Sequence, residues 1–145
     1  MAEYIYIPDQ DVPFGSNVIF NDLIPCTKRN VYHRNSSGDF TLRGNVNNPC
    51  CGFARYKVVF RGNVAVPTGG TVGEISLSVA VGTEALASSL SASTPTAVEA
   101  FNHISPSAII DVPAGCCTNV GIQNTSATGE TITVRNARLE ITRTA

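Results

Sequence analysis

The side chains that could do chemistry are few and scattered. His33 and His103 are the two histidines, the only groups titrating near neutrality by their ordinary values. Neither sits in an H-x-H, H-E-x-x-H or H-x-x-E setting that would make a metal or acid/base motif, so each is expected to be an exposed or hydrogen-bonded strand residue. The carboxylates Glu74, Glu84, Glu99 and Asp111 stand singly. The chain has no G-x-S-x-G elbow, no glycine loop to cradle phosphate before a helix, and no acidic run resembling a calcium loop. No nucleophile and base pair is readable, and the expectation is a protein that is not an enzyme, with no cofactor and no metal.

Five cysteines, Cys26, Cys50, Cys51, Cys116 and Cys117, raise the question of a disulfide scaffold or a zinc site. Their odd number and two adjacent pairs fit a scaffold poorly, and neither pair has the C-x-x-C spacing that lets two thiolates grip one zinc ion. They read as reduced, buried or half-buried thiols behaving as small hydrophobes, with an intersubunit cluster on a symmetry axis left open. Asn35-Ser36-Ser37 and Asn124-Thr125-Ser126 match the glycosylation acceptor pattern, which has no use without export. Met1-Ala2-Glu3-Tyr4 opens with an acid where a signal peptide carries basic residues, and no stretch approaches the roughly 20 apolar residues of a membrane helix. Neither membrane contact nor ordinary secretion is expected.

The 145 residues are one domain's worth, and 43% hydrophobic composition is enough for a buried core. Only 14% of residues are charged, against about 25% in a typical soluble domain, and the net charge is −1. So little charge leaves much surface for copies of the chain or a larger assembly to cover. It also gives no electrostatic reason to bind nucleic acid.

Residues 1–16 read as an extended arm. Tyr4, Ile5, Tyr6 and Ile7 alternate aromatic with aliphatic side chains ahead of Pro8, Pro13 and Gly15, which break regular structure. Such an arm adds a strand to a sheet edge or lies along a neighbour. The prolines predict that it stays outside the main strand pattern and buries these four residues against a partner, while residues 17–145 fold without it.

From residue 17 a period of two dominates. Ala54, Tyr56, Val58 and Phe60 fall on one face of a strand, with Arg55, Lys57 and Arg61 on the other. Glu74 to Val81 places Ile75, Leu77, Val79 and Val81 inward, and its other face carries Ser76, Ser78 and Ala80. Those small neutral side chains are expected to admit a second sheet or subunit, making them the candidate trimer interface. Further strands are predicted at 17–21, 31–33, 40–43, 108–112, 118–124 and 131–142, separated by Gly/Pro/Ser/Asp turns. The Ala, Ser and Leu content of residues 83–101 could support a short helix from Thr94-Pro95, but the all-β context favours two strands joined by a turn at 91–95. In the last strand Ile132 and Val134 have the opposite parity to Ala137, Leu139 and Ile141, which predicts a β-bulge near Arg135-Asn136. Many short strands with almost no helical periodicity define an all-β sandwich or barrel.

The segments Ala54-x-Tyr56-x-Val58-x-Phe60, Ile75-x-Leu77-x-Val79, Ala108 to Gly115, Val120-Gly121-Ile122-Gln123-Asn124 and Leu139-x-Ile141 follow one another in an order that resembles the jelly roll of tumour-necrosis-factor-like ligands and complement globular heads. The resemblance covers about residues 17–143 and implies a jelly-roll homotrimer. The phrases Gly62 to Gly70, Thr94 to Glu99, Val112 to Cys117 and Asn124-Thr125-Ser126 are similar to small proteins of this fold from tailed bacteriophages and prophages. That likeness implies a structural virion protein, made in the bacterial host cytoplasm and set on the capsid surface as a head decoration. Its partners would be the major capsid protein or another virion protein, with Tyr4, Ile5, Tyr6 and Ile7 as the anchor. The alternative is a trimeric fibre tip that binds a host glycan or protein. The chain lacks the collagen-like Gly-X-Y stalk of many bacterial surface relatives, which favours the decoration reading.

Overall fold

The computed structural model describes residues 2–22, 31–33, 37–44, 53–113, 117–127 and 129–144. Among the described residues thirteen strands follow in chain order: β1 (Ala2–Tyr6), β2 (Gln10–Val12), β3 (Asn21–Asp22), β4 (Val31–His33), β5 (Phe40–Arg43), β6 (Phe53–Ala65), β7 (Ile75–Val81), β8 (Glu84–Ala85), β9 (Ser91–Ser93), β10 (Asn102–Ile104), β11 (Ser107–Pro113), β12 (Cys117–Asn124) and β13 (Ile132–Arg143). They form two antiparallel sheets. The first runs β10-β6-β13-β1-β3, with β11 also on β6 and β2 also on β13; the second runs β4-β5-β12-β7-β8, with β9 also on β7. This is an all-β sandwich, one of the two architectures the strand spacing admits, and it is the jelly roll that the family resemblance implies.

Strand β6 shows why the pattern sets the layers. Its even-numbered residues from Ala54 to Val64 are buried, and most of its odd-numbered residues lie open on the outer face of the first sheet. The buried residues meet an aromatic cluster drawn from both sheets and their connections. The Tyr4 ring packs edge-on against His33 at 4.9 Å and Phe40 at 4.6 Å, and Phe20 packs edge-on against Phe40 and Phe60. Such pairs are worth about 0.5–1.5 kcal/mol each beyond area burial.

The bulge is where parity places it. Pairing of β13 with β6 shifts register between Arg135 and Arg138, and Asn136 adopts φ 53°, in the left-handed region that asparagine tolerates better than most residues. Ile132, Val134, Ala137, Leu139 and Ile141 are all buried as a result.

The arm is corrected by the structure. Strand β1 pairs with β13 from Ala2↔Ile141 to Tyr6↔Ala137, and β2 pairs with β13 from Ile132↔Val12 to Val134↔Gln10. Tyr4 is 3% exposed in the core, Ile5 and Tyr6 are half-buried, and only Ile7 is largely exposed. Anchoring through Tyr4 would mean pulling a core aromatic into water. The prolines do not prevent the pairing, because Pro8 falls in the gap between β1 and β2, where no ladder N–H is needed.

The serine face is also corrected. Ser76, Ser78 and Ala80 are each 1% exposed within the single chain. The Thr125 hydroxyl lies 2.9 Å from the Ser76 hydroxyl and 3.0 Å from that of Ser78, and β8 and β12 flank Ala80. These residues present no free surface to a subunit. Residues 17–21 form two isolated bridges and the short β3 rather than one strand; 83–101 holds two short strands, β8 and β9, with no helix from Thr94, but β9 occupies Ser91–Ser93 where the sequence predicts the turn, and a 3-10 turn at Ala87–Ser89 lies between the strands instead.

Tyr4→Ala is expected to cost about 3–5 kcal/mol in chemical denaturation, the range for emptying a buried aromatic site. Deleting residues 2–7 is expected to abolish cooperative unfolding. A deletion variant that keeps a sharp transition would restore the detachable arm.

Candidate functional site

Two surface features on the outer face of the first sheet stand out, one at each end of β6. At the Ala65 end is a cleft of about 520 Å³. Asp11 on β2 and Asp9 just before that strand lie to one side; Thr133 and Arg135 come from β13; Thr68, Glu99 and Phe101 come from the connections after β6 and β9. The bulge begins at Arg135, whose guanidinium forms a two-pronged ion pair with Asp9: Nε donates to Oδ1 at 2.6 Å and Nη2 to Oδ2 at 2.9 Å. It also lies 3.9 Å from the centre of the Phe101 ring, a cation–π contact. Thr133 donates to Asp11 Oδ1 at 2.9 Å, and Thr68 donates to Glu99 Oε1 at 2.5 Å. Glu99 has φ 63° and its amide donates to the Val66 carbonyl at 2.8 Å, which fixes it at the cleft rim.

Arg135 holds the Asp9 carboxyl below its ordinary value, chiefly by hydrogen bonding and then by charge. Both side chains are nearly half exposed, so solvent screens the pair and its contribution to stability is small. A depressed carboxyl contributes above its unfolded pKa, and the contribution is lost as pH falls through the lower folded value.

The opposite end of the sheet carries a mixed face. Ile109 is 65% exposed on β11, whose second edge carries no strand among the described residues, and Phe53 is 41% exposed. Val59 lies diagonally from Ile109 across the β6–β11 ladder. Around them stand the Arg55–Asp111 pair at 2.8 Å and Arg138, which bonds Glu3 and lies 3.5 Å from Glu140. Lys57 and Arg61 have no ion-pair partner among the described residues. Here Asp111 is held below, and Arg55 above, its ordinary pKa by their mutual hydrogen bond and charge.

The residues singled out by type are dispersed. His33 stacks on Phe40 at 4.3 Å in the core, and its Nε2 lies 2.8 Å from the Ser37 carbonyl, so that nitrogen carries the proton; His103 is exposed on β10. Glu84 and Asp111 line one shallow pocket beside Ile109, Glu99 lines the cleft at the other end of β6 and Glu74 lines neither; no group of three or more His, Cys, Asp or Glu among the described residues could hold a metal ion. Cys117 is exposed; Cys26, Cys50, Cys51 and Cys116 lie outside the described residues. Asn35 lies outside them too, while Asn124 is fully buried, its amide donating to the carbonyls of Val12 and Glu130, and is no acceptor for a glycan. Sequence reasoning missed Asp9 and Arg135 as a pair. They are 126 positions apart, and only the parity change at Arg135-Asn136 marked the spot.

Comparison with solved structures places the fold. The chain superimposes on the globular domain of zebrafish complement 1qA protein with TM-score 0.63 and 13% identity, covering 98% of this chain and 96% of that one. It matches the Eiger TNF of S. frugiperda with TM-score 0.65 and 13% identity over 100% and 92% of the two chains, and murine APRIL with TM-score 0.55 and 7% identity over 96% and 98%. No protein-family model and no curated protein sequence matches. The chain therefore has the fold of the complement and TNF-like globular domains over essentially its whole length.

Replacing Arg135 with Gln is expected to raise the Asp9 carboxyl midpoint toward its ordinary value, read by carbon-detected NMR titration. An unchanged midpoint would show that the ion pair does not form in solution.

Proposed function

We propose that this chain is a non-enzymatic structural module that works as a homotrimer. The carrying observation is Ile109, an aliphatic side chain 65% exposed at an open strand edge of a TNF-like sandwich, beside Val59 and charges of both signs. An open apolar edge invites pairing or burial by another chain, and a face with both signs of charge can complement a copy of itself. The low overall charge supports the same reading. Ile109 and Phe53 replace the serine face of β7 as the assembly surface.

The trimer's proposed place is the capsid surface of a tailed bacteriophage, as a head decoration made in the host cytoplasm, with the major capsid protein or another virion protein as its partner. The sequence phrases Gly62 to Gly70 and Val112 to Cys117 support this placement. Ile7 and Phe14, 57% and 56% exposed on the N-terminal segment, are the proposed capsid contacts in place of Tyr4. The second reading, a trimeric tip that recognises a host surface, is favoured by the cleft at the far end of the sheet.

Sedimentation should give a particle about three times the 15.3 kDa chain mass, and Ile109→Asp should give a folded monomer, because the side chain is outside the core. A wild-type monomer at micromolar concentration would refute the trimer. Counting copies per virion separates the two placements: occupancy matching the capsomer lattice supports decoration, and a few copies at a tail tip support recognition.

A further inference from the structure

The cleft between β2 and the loops after β6 and β9 holds more hydrogen-bonding capacity than the chain uses. Asp9 engages Arg135 through Nε and Nη2, which leaves the two N–H groups of Nη1 uncommitted. Asp11 accepts from Thr133 through Oδ1 and Glu99 accepts from Thr68 through Oε1; the second oxygen of each carboxylate takes no donor from the described residues. One charged donor and two charged acceptors thus line a volume of about 520 Å³, within the range of roughly 300–1,000 Å³ typical of small-molecule sites. Half-buried Phe101 and Pro67 supply an apolar wall beside them.

A ligand matching this set must donate to carboxylates and accept from a guanidinium at close quarters. A hydroxyl group does both with one atom, and neighbouring hydroxyls on a ring do so in a fixed spacing. The lining charges are three carboxylates against one guanidinium, which opposes an anionic ligand. A simple organic cation would satisfy the carboxylates but leave Arg135 without an acceptor and facing a like charge. We propose that the cleft binds a neutral sugar ring through adjacent hydroxyls, with Asp11 and Glu99 accepting and Arg135 Nη1 donating. The inference rests on the recognition reading and gives it a ligand class; it is independent of how the chain assembles.

The test is a heteronuclear NMR titration of the intact protein with D-glucose, D-galactose and D-mannose, with N-acetylneuraminic acid and methylguanidinium as charged comparators. At least one neutral hexose should shift amides at Thr68, Glu99, Thr133 and Arg135. Glu99→Gln and Asp11→Asn should each weaken binding about tenfold, the order expected for one charged hydrogen bond. Both side chains are on the surface, so both variants should keep the wild-type melting transition. No response to any hexose, shifts confined to another part of the protein, undiminished binding by both variants, or preference for either charged comparator would each overturn the proposal. A trimer that forms normally but ignores all three sugars would defeat the ligand assignment and leave the assembly reading standing.

Discussion

The parity change in β13 is the constraint on which the rest of the structure depends. Five buried aliphatic positions must all face one core, yet Ile132 and Val134 are out of phase with Ala137, Leu139 and Ile141. The bulge at Arg135-Asn136 resolves this, and its cost is one non-glycine residue at positive φ. The bulge also dictates what happens on the other flank. The N-terminal segment cannot pass it as a continuous strand, so it pairs in two pieces, β2 before the bulge and β1 after it. The Asn136 amide donates to the Ile7 carbonyl at 3.2 Å across the gap, and Pro8 occupies the stretch where no ladder bond is available. The kink in the first segment and the bulge in the last are two halves of one feature, and Arg135 reaches Asp9 because of it.

Much of this was legible in the sequence. Period-two alternation located β6, β7, β11 and β12 to within a residue or so at one end, and β4 and β5 as predicted. The phase change located the bulge. What was not legible was where covering groups come from. Pro8 and Pro13 read as barriers because local rules hold no information about a bulge more than a hundred residues away that leaves a gap for one of them. The small residues Ser76, Ser78 and Ala80 read as a contact surface because small side chains permit close approach; the group that approaches is Thr125, from the same chain. Close approach recurs at Gly121, where a Cβ would fall 2.5 Å from the Asn17 amide nitrogen and 2.7 Å from the Gly38 carbonyl. The candidate cleft was invisible for the same reason as the arm's true place, since Asp9 and Asp11 come from the opposite end of the chain to Arg135 and Glu99 from a connection between them.

The outer face of the first sheet divides between two proposed uses. Ile109 lies opposite Lys57, eight residues from Ala65 along β6, a separation of about 25 Å at strand rise. The apolar edge at one end suits burial by a copy, and the polar cleft at the other suits a small hydroxylated ligand. A trimer would present three such clefts, so that individually weak sites act together on a multivalent surface. Similarity to complement and TNF-like domains at 7–13% identity shows a shared sandwich; the uses come from the side chains this chain places on it.

The central claim is that the N-terminal segment is part of the sandwich, locked to β13 on both sides of the bulge. Residue-resolved amide hydrogen exchange tests it most directly. The account predicts that β1 amides bonded into the ladder are protected to the same degree as their partners in β13 and exchange only with global unfolding. Exchange of the β1 amides at the rate of an unstructured peptide, with β13 still protected against β6, would contradict it.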